Sequence, residues 1–334
     1  MMRTIFEWLR RSAVFGLALI GALALVLTAM MAVPVSRPPM MQSVINTVRT
    51  VDRSDMPPLS RFQARDGTEL AYRHYPPVAP GTGRIAIVIH GSSGGSPAMH
   101  AVSRALAAKG VEAYAVDMRG HGASGTRGDV AYIGQLEDDL ADLVRQVRRT
   151  DAAASLILIG HSAGGGFALR VAGSALQNEF ARTILLAPYL GYDASTTMND
   201  AGGWASPDIP RIVALLALRK MGIECCESLP VLAFATPPNS QAFQTSIYSY
   251  RLTANFGVAR DYRHHLATAT KPVTIYAAAN DEMMVSANYA GAVKGFSRVD
   301  VHVIEGIDHM GTVSDARAAA RIAEDVATRG SEGS

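Results

Sequence analysis

The sequence predicts an α/β protein: a mostly parallel, doubly wound sheet with a helical cap inserted late in the chain. Three observations carry that prediction. Short apolar, β-branched runs alternate with longer helical stretches from Arg61 onward. The strand Leu156–Ile159 turns through Gly160-His161-Ser162-Ala163-Gly164 directly into a helix. The alternation then lapses between Pro188 and about Leu266 and resumes afterwards. Strands that are apolar at nearly every position are covered on both faces, as in a parallel sheet flanked by helices.

Before that pattern begins, Ala13–Val33 is a run of 21 residues without a charge. At about 1.5 Å per residue, a helix of this length matches a hydrocarbon core roughly 30 Å thick. Arg3, Arg10 and Arg11 precede it against the single acid Glu7, which keeps the N-terminus cytoplasmic and exports the chain beyond Val33. Arg37, Arg49 and Arg53 on the far side count against that orientation without reversing it. A cleaved signal peptide has a shorter apolar core and a small-x-small exit. Met30-Met31-Ala32-Val33-Pro34 offers no such exit, so residues 1–33 read as a cytoplasmic tip and an uncleaved transmembrane anchor. Residues 34–60 hold Pro34, Pro38, Pro39, Pro57 and Pro58 among polar residues and read as a linker, with room for a short amphipathic helix at Gln42–Val51.

The main domain is expected over residues 61–330. Phe62–Ala64 and Leu70–Tyr75 flank Asp66-Gly67, a hairpin signal. Buried strands are expected at Arg84–His90, Val111–Val116, Leu156–Ile159, Thr183–Ala187, Pro272–Ala279 and Val299–Ile304, with helices between them. The segment at about 188–266 lacks clear strands and carries scattered aromatics and leucines. A structureless loop of that length would be improbable inside a domain, so it reads as a helical cap over the sheet's C-terminal edge.

Composition narrows the function. The chain has 334 residues, with 31 Lys+Arg against 29 Asp+Glu and no basic run, which argues against nucleic acid as a partner. Hydrophobic residues at 49% and charged residues at 18% exclude disorder over most of the length. Two cysteines, Cys225 and Cys226, cannot build a disulfide framework or a four-cysteine zinc site, and as neighbours they read as free buried thiols. No metal site is expected, because no His-x-x-x-His or Cys/His ligand spacing occurs.

Gly160–Gly164 is Gly-x-Ser-x-Gly in strand–turn–helix context. Such a turn lifts the serine Oγ above the sheet, and side chains two places away would collide in it. Ser162 is therefore the candidate nucleophile. An oxyanion hole needs two N–H groups aimed at one point. Ala163 supplies one, and Ser92, directly after His90-Gly91 in a glycine-rich loop, is chosen for the other. For the base, serine sites of this layout run Ser, then Asp or Glu, then His, each on a loop after a strand. Asp281 comes after the strand at 272–279 and His309 after the strand at 299–304. Glu282 is the nearest rival to Asp281, and Asp308 is badly placed to orient a ring next to it in sequence. His90 and His161 sit beside site glycines and could shape the pocket, while His121 lies in a glycine-rich turn and reads as structural.

Taken together, His90-Gly91, the stretch Asp117-Met118-Arg119-Gly120-His121-Gly122-Ala123-Ser124-Gly125, Gly160–Gly164, Asp281 and His309 resemble the α/β-hydrolase superfamily over roughly residues 61–330. Within it the chain is similar to lysophospholipase and monoacylglycerol-lipase-like serine hydrolases. The resemblance implies a Ser162–Asp281–His309 triad, an oxyanion hole at Ser92 and Ala163, a cap that lines an acyl pocket, and no cofactor. It implies hydrolysis of carboxylic esters such as lysophospholipids or monoacylglycerols. The loop Ser92-Ser93-Gly94-Gly95-Ser96-Pro97 departs from the bulkier loops common in lipid-active members. A peptidase or an acyltransferase on the same triad, and a catalytically silent membrane-anchored binding protein, are the alternatives.

Overall fold

The computed structural model describes residues 2–237, 244–258 and 261–328. Six residues of the predicted cap at 238–243, two at 259–260 and the end of the predicted domain at 329–330 lie outside the described residues.

Helix α1 (Met2–Ala32) is the apolar N-terminal segment, long and apolar enough to cross a membrane, with most of its surface exposed. Helix α2 (Gln42–Thr50) occupies the stretch expected to hold a short helix, and its Val44 is buried. Strands β1 (Leu59–Gln63) and β2 (Glu69–Tyr75) form the predicted antiparallel hairpin. Next in the chain are β3 (Arg84–Ile89), α3 (His100–Ala108), β4 (Glu112–Val116), α4 (Gln135–Thr150), β5 (Ser155–His161), α5 (Ala163–Ala172) and β6 (Arg182–Leu186). Helix α4 shows why it forms: a buried leucine and valine stripe faces the sheet, acids stand in its first turn and Arg148 and Arg149 in its last, complementing the helix dipole.

The insertion between β6 and the next sheet strand differs from a purely helical cap. It contains β7 (Ala205–Pro207), α6 (Ile209–Lys220), β8 (Pro230–Phe234), β9 (Ile247–Ser249), α7 (Tyr250–Asn255) and α8 (Tyr262–Thr268). The three strands form a small antiparallel sheet of their own. Strands of three to five residues are too short to show a period in sequence, which is why this sheet leaves no signal there. The main sheet is completed by β10 (Val273–Ala278) and β11 (Val299–Ile304), with α9 (Tyr289–Ala292) between them, and the chain closes through α10 (Gly311–Ser314) and α11 (Ala316–Thr328).

The eight-stranded sheet has the order β1-β2-β4-β3-β5-β6-β10-β11, antiparallel at the leading hairpin and at the β2–β4 pair, and parallel elsewhere. One core on each face covers it. In β3, Ile85, Ile87 and Ile89 enter one core while Ala86 and Val88 enter the other, which is the alternation of a strand buried on both sides. The chain leaves β3 for β4 on one side and returns as β5 on the other. The order of the strands reverses there, and the crevice outside their carboxyl ends is where such sheets bind ligands.

The C-terminal end of α1 and the residues just after it are tied to the insertion. The buried Arg211 of α6 donates from Nε to the Met31 carbonyl at 3.0 Å and also contacts the Val33 carbonyl. Cys225 and Cys226, in the loop after α6, are free but exposed rather than buried.

Candidate active site

Ser162 stands between β5 and α5 with φ 53° and ψ −119°, a strained conformation for a residue with a side chain. Two glycines make the turn sterically feasible. A Cβ on Gly160 would meet the Gly164 carbonyl oxygen at 2.2 Å, and one on Gly164 would meet the His90 carbonyl oxygen at 2.2 Å. The turn is also held by the neighbouring strand, since Ser162 N–H donates to the Leu186 carbonyl at 2.9 Å. The Ala163 N–H opens helix α5, where a first-turn amide has no intrahelical acceptor.

His309 and Asp281 meet by the route the chain order requires. The loop after β10 carries Asp281 and the loop after β11 carries His309, and these two strands are parallel neighbours. His309 Nδ1–H donates to Asp281 Oδ2 at 2.8 Å, with both side chains almost fully buried. Asp281 Oδ1 accepts the N–H groups of Met283 and Met284, each at 2.8 Å, so the carboxylate is fixed at both oxygens. Glu282 serves differently: its Oε2 accepts the backbone N–H of His309 at 3.0 Å. Asp308 Oδ1 accepts the Gly311 N–H at 2.7 Å and so helps shape the turn.

Ser162, His309 and Ser92 line a single cavity of about 40 Å³, together with His161, Trp204 and Met283. Val44 of α2 lines it too, so the segment expected to be a mere linker contributes a wall. Among the described residues, the lining contains no carboxylate. His161 packs against His309 with ring centroids 4.9 Å apart. Burial, and next the charge His309 would carry, push the His161 imidazole well below its ordinary range, so it stays neutral. His90 lies beneath the loop after β3, with Nδ1 at 2.7 Å from the Gly91 carbonyl, and burial lowers its pKa as well.

The Asp-x-Arg-Gly-His-Gly stretch proves to be scaffolding. Asp117 accepts the N–H groups of Ser96 at 2.6 Å and Ala123 at 2.9 Å, joining two loops. Arg119 is buried and forks onto Asp139 with two bonds of 2.8 Å. Among the described residues, no group of three or more His, Cys, Asp or Glu is arranged to hold a metal ion. Three side chains at or beside the site have no signal in the sequence: Val44, Trp204 and Tyr248 arrive there only through the folding of α2 and the insertion.

A family model described as serine aminopeptidase, S33 (Hydrolase_4) matches residues 82–312. The chain belongs to this family. It is an α/β-hydrolase, and its relatives are of the lipase and esterase kind. A monoacylglycerol lipase of Mycolicibacterium smegmatis is 24% identical over 259 residues, covering 74% of this chain and 88% of the lipase. The structure of a soluble variant of monoglyceride lipase from Saccharomyces cerevisiae superposes with a TM-score of 0.61 at 15% identity, over 81% of this hydrolase and 94% of that chain. A crystal structure of a membrane phospholipase A matches with a TM-score of 0.54 at 15% identity over 99% of this hydrolase and 100% of that chain. That match extends to the N-terminal helix, whereas the lipase match stops short of the full chain.

Proposed function

We propose that the protein is a membrane-anchored serine esterase acting on acyl-glycerol or lysophospholipid esters. The observation that carries the reading is the His309–Asp281 hydrogen bond at 2.8 Å beside a strained Ser162 in one cavity. His309 Nε2 takes the Ser162 hydroxyl proton as Oγ attacks the ester carbonyl carbon. The Ala163 and Ser92 N–H groups receive the charge that develops on the carbonyl oxygen. Asp281 holds the ring in the tautomer with Nδ1 protonated and supports the imidazolium. The imidazolium then gives its proton to the departing alcohol as the tetrahedral adduct collapses to an acyl-Ser162. Water, deprotonated by the same His309, adds to that acyl carbon, and the imidazolium returns this proton to Ser162 Oγ as the second adduct collapses to the fatty acid and free Ser162.

Hydrolysis of an amide by the same steps is the second reading, favoured by the description of the family model. An aminopeptidase needs an acid to grip the free amine of its substrate. Among the described residues the cavity lining has none, which supports the ester reading. A void of 40 Å³ has room for only a few waters, so an acyl chain enters by displacing Val44 or Met283.

Helix α1 serves as the anchor in this reading, with the hydrolase domain on the exported side. The 99% coverage by a membrane phospholipase A structure and the apolar length of α1 support it. A reporter fused after residue 334 should signal an exported C-terminus, and a cytoplasmic signal overturns the topology.

The deciding experiment measures hydrolysis of p-nitrophenyl esters of two to sixteen carbons by the wild-type chain and by Ser162→Ala. Loss of turnover in the variant, with a fluorophosphonate adduct mapped to Ser162 in the wild type, is expected. Equal turnover by both proteins refutes the mechanism. If p-nitroanilides of free amino acids turn over faster than the esters, the peptidase reading takes its place.

A further inference from the structure

We infer that Trp204 and Tyr248, two aromatic residues of the insertion, are positioning residues that hold the loop after β3 so that the Ser92 N–H points at the reacting carbonyl. This rests on the proposed role of Ser92 as an oxyanion donor.

The loop does not hold itself. Ser93 sits at φ 64°, in the left-handed region that residues with a Cβ seldom adopt. Within the loop, the backbone bond that closes the turn runs from Gly94 N–H to the Gly91 carbonyl at 3.2 Å. Asp117 holds the far end of the loop at the Ser96 N–H, but at Ser92 and Ser93 the stronger restraints all come from the insertion. Ser93 N–H donates to the Tyr248 hydroxyl at 2.6 Å. The Ser93 carbonyl accepts the Thr245 N–H at 3.0 Å. Ser92 Oγ accepts the Trp204 Nε1–H at 2.9 Å. Together these bonds fix the peptide on either side of Ser93 and the side chain of Ser92. Little freedom then remains for the peptide that carries the Ser92 N–H. No protein acceptor takes that N–H among the described residues, which leaves it available to a ligand.

The partners are themselves immobilised. The Tyr248 hydroxyl accepts from Ser93 and donates its own proton to His121 Nε2, while His121 Nδ1–H reaches the Arg119 carbonyl at 3.3 Å. That arrangement requires a neutral His121. Its burial, and next the nearby His90 ring, push its pKa well below the ordinary value, which keeps it so. Phe234 joins the two aromatics: its ring lies 4.6 Å from Tyr248 edge-on and 5.8 Å from Trp204. Trp204 directly precedes β7, Phe234 ends β8 and Tyr248 is the middle residue of β9. The small sheet of the insertion therefore delivers its aromatic residues to one loop. A cap that served only to enclose substrate would not need to bind that loop at three polar points.

The test uses the full chain with Tyr248→Phe and Trp204→Phe, which keep an aromatic ring and remove one polar atom each, beside Ser92→Ala and Ser162→Ala. Substrate is p-nitrophenyl butyrate, and a trifluoromethyl ketone, which forms a tetrahedral oxyanion on a serine, reports on the hole. Each Phe variant should lower kcat about ten-fold with KM within about two-fold, a smaller loss than deleting a donor outright. Affinity for the ketone should fall in step with kcat/KM. The pair Trp204→Phe with Ser92→Ala should be no worse than Ser92→Ala alone, because both remove the same bond. If Ser162→Ala is inactive while both Phe variants keep the wild-type kcat and ketone affinity, the inference falls and the proposed mechanism stands. If the losses at Trp204 and Ser92 multiply, Trp204 acts by packing alone and the positioning role is refuted for it. If Ser162→Ala retains full activity, the mechanism itself has failed.

Discussion

The turn that carries Ser162 is held by the main sheet, with close backbone contacts at Gly160 and Gly164 and a bond from Ser162 to the adjacent strand. The loop that carries Ser92 faces the same cavity, yet its hydrogen bonds reach residues more than a hundred positions away in the insertion. The first region is a property of the main sheet, where the pentapeptide Gly160–Gly164 sits against the ends of β3 and β6. The second depends on how the cap docks. In the proposed mechanism the site thus draws its nucleophile from a short motif and its electrostatic stabilisation from a loop held by a distant element. Changes in the cap can then alter rate as well as substrate choice.

The largest expected effect probes the local side. Asp281→Asn should lower kcat for p-nitrophenyl butyrate by about 10³–10⁴-fold, because the amide cannot both accept the Nδ1 proton and support the imidazolium. Near-wild-type turnover would transfer the orienting role to Glu282, which already holds the His309 backbone.

A second variant separates the two regions by kind of effect. Gly164→Ala places a methyl group 2.2 Å from the His90 carbonyl, a backbone atom that cannot yield cheaply. It should cost about 3 kcal/mol of stability in urea unfolding. Tyr248→Phe should cost about 1 kcal/mol in the same measurement and show itself mainly in kcat. If both variants lost stability equally, the loop would be as integral to the fold as the turn.

Acid should weaken both regions. His90, His121 and His161 are buried, and burial lowers the pKa of each. The unfolded chain takes up protons on these rings as pH falls through about 6.5, while the folded chain does not. Their contribution is therefore complete above that pH and is lost progressively below it, by up to about 1.4 kcal/mol per pH unit for each ring. Urea midpoints at pH 7.5 and pH 5.5 measure the loss, and His121→Asn should flatten part of it. A midpoint that does not move between these pH values would mean that the rings are charged in the fold.

The smallest expected change concerns the wall that α2 contributes. Val44→Ala should favour longer acyl chains, raising kcat/KM for the octanoate over the acetate ester by up to about ten-fold. An unchanged chain-length profile would show that the acyl group leaves the cavity by another side.

Much of this is legible in the sequence, for identifiable reasons. The strands from Arg84 to Ile304 announce themselves because each is largely covered by helices and therefore rich in apolar residues. The hairpin at Asp66-Gly67 and the anchor-length run before Val33 are local patterns of the same kind. Ser162, Asp281 and His309 can be chosen because each comes after a recognisable strand in a fixed order. The small sheet of the insertion cannot be read, because its strands are too short to carry a period. The exposure of Cys225 and Cys226 depends on where the loop after α6 comes to rest. The proposed second oxyanion donor can be named from the His-Gly context, but nothing near Ser92 indicates that Trp204 bonds its side chain and Tyr248 the N–H of Ser93.

The sequence by itself therefore determined the sheet, the turn at Ser162 and the chain order of the three central side chains, since each rests on periodicity, glycine sterics or position after a strand. Only the tertiary structure decided which carboxylate meets His309, that Val44 closes the cavity, and that the insertion reaches back to Ser92 and Ser93. Those are contacts between segments far apart in the chain, set by how buried surfaces dock and how buried polar groups find partners, and no local pattern of residues encodes them.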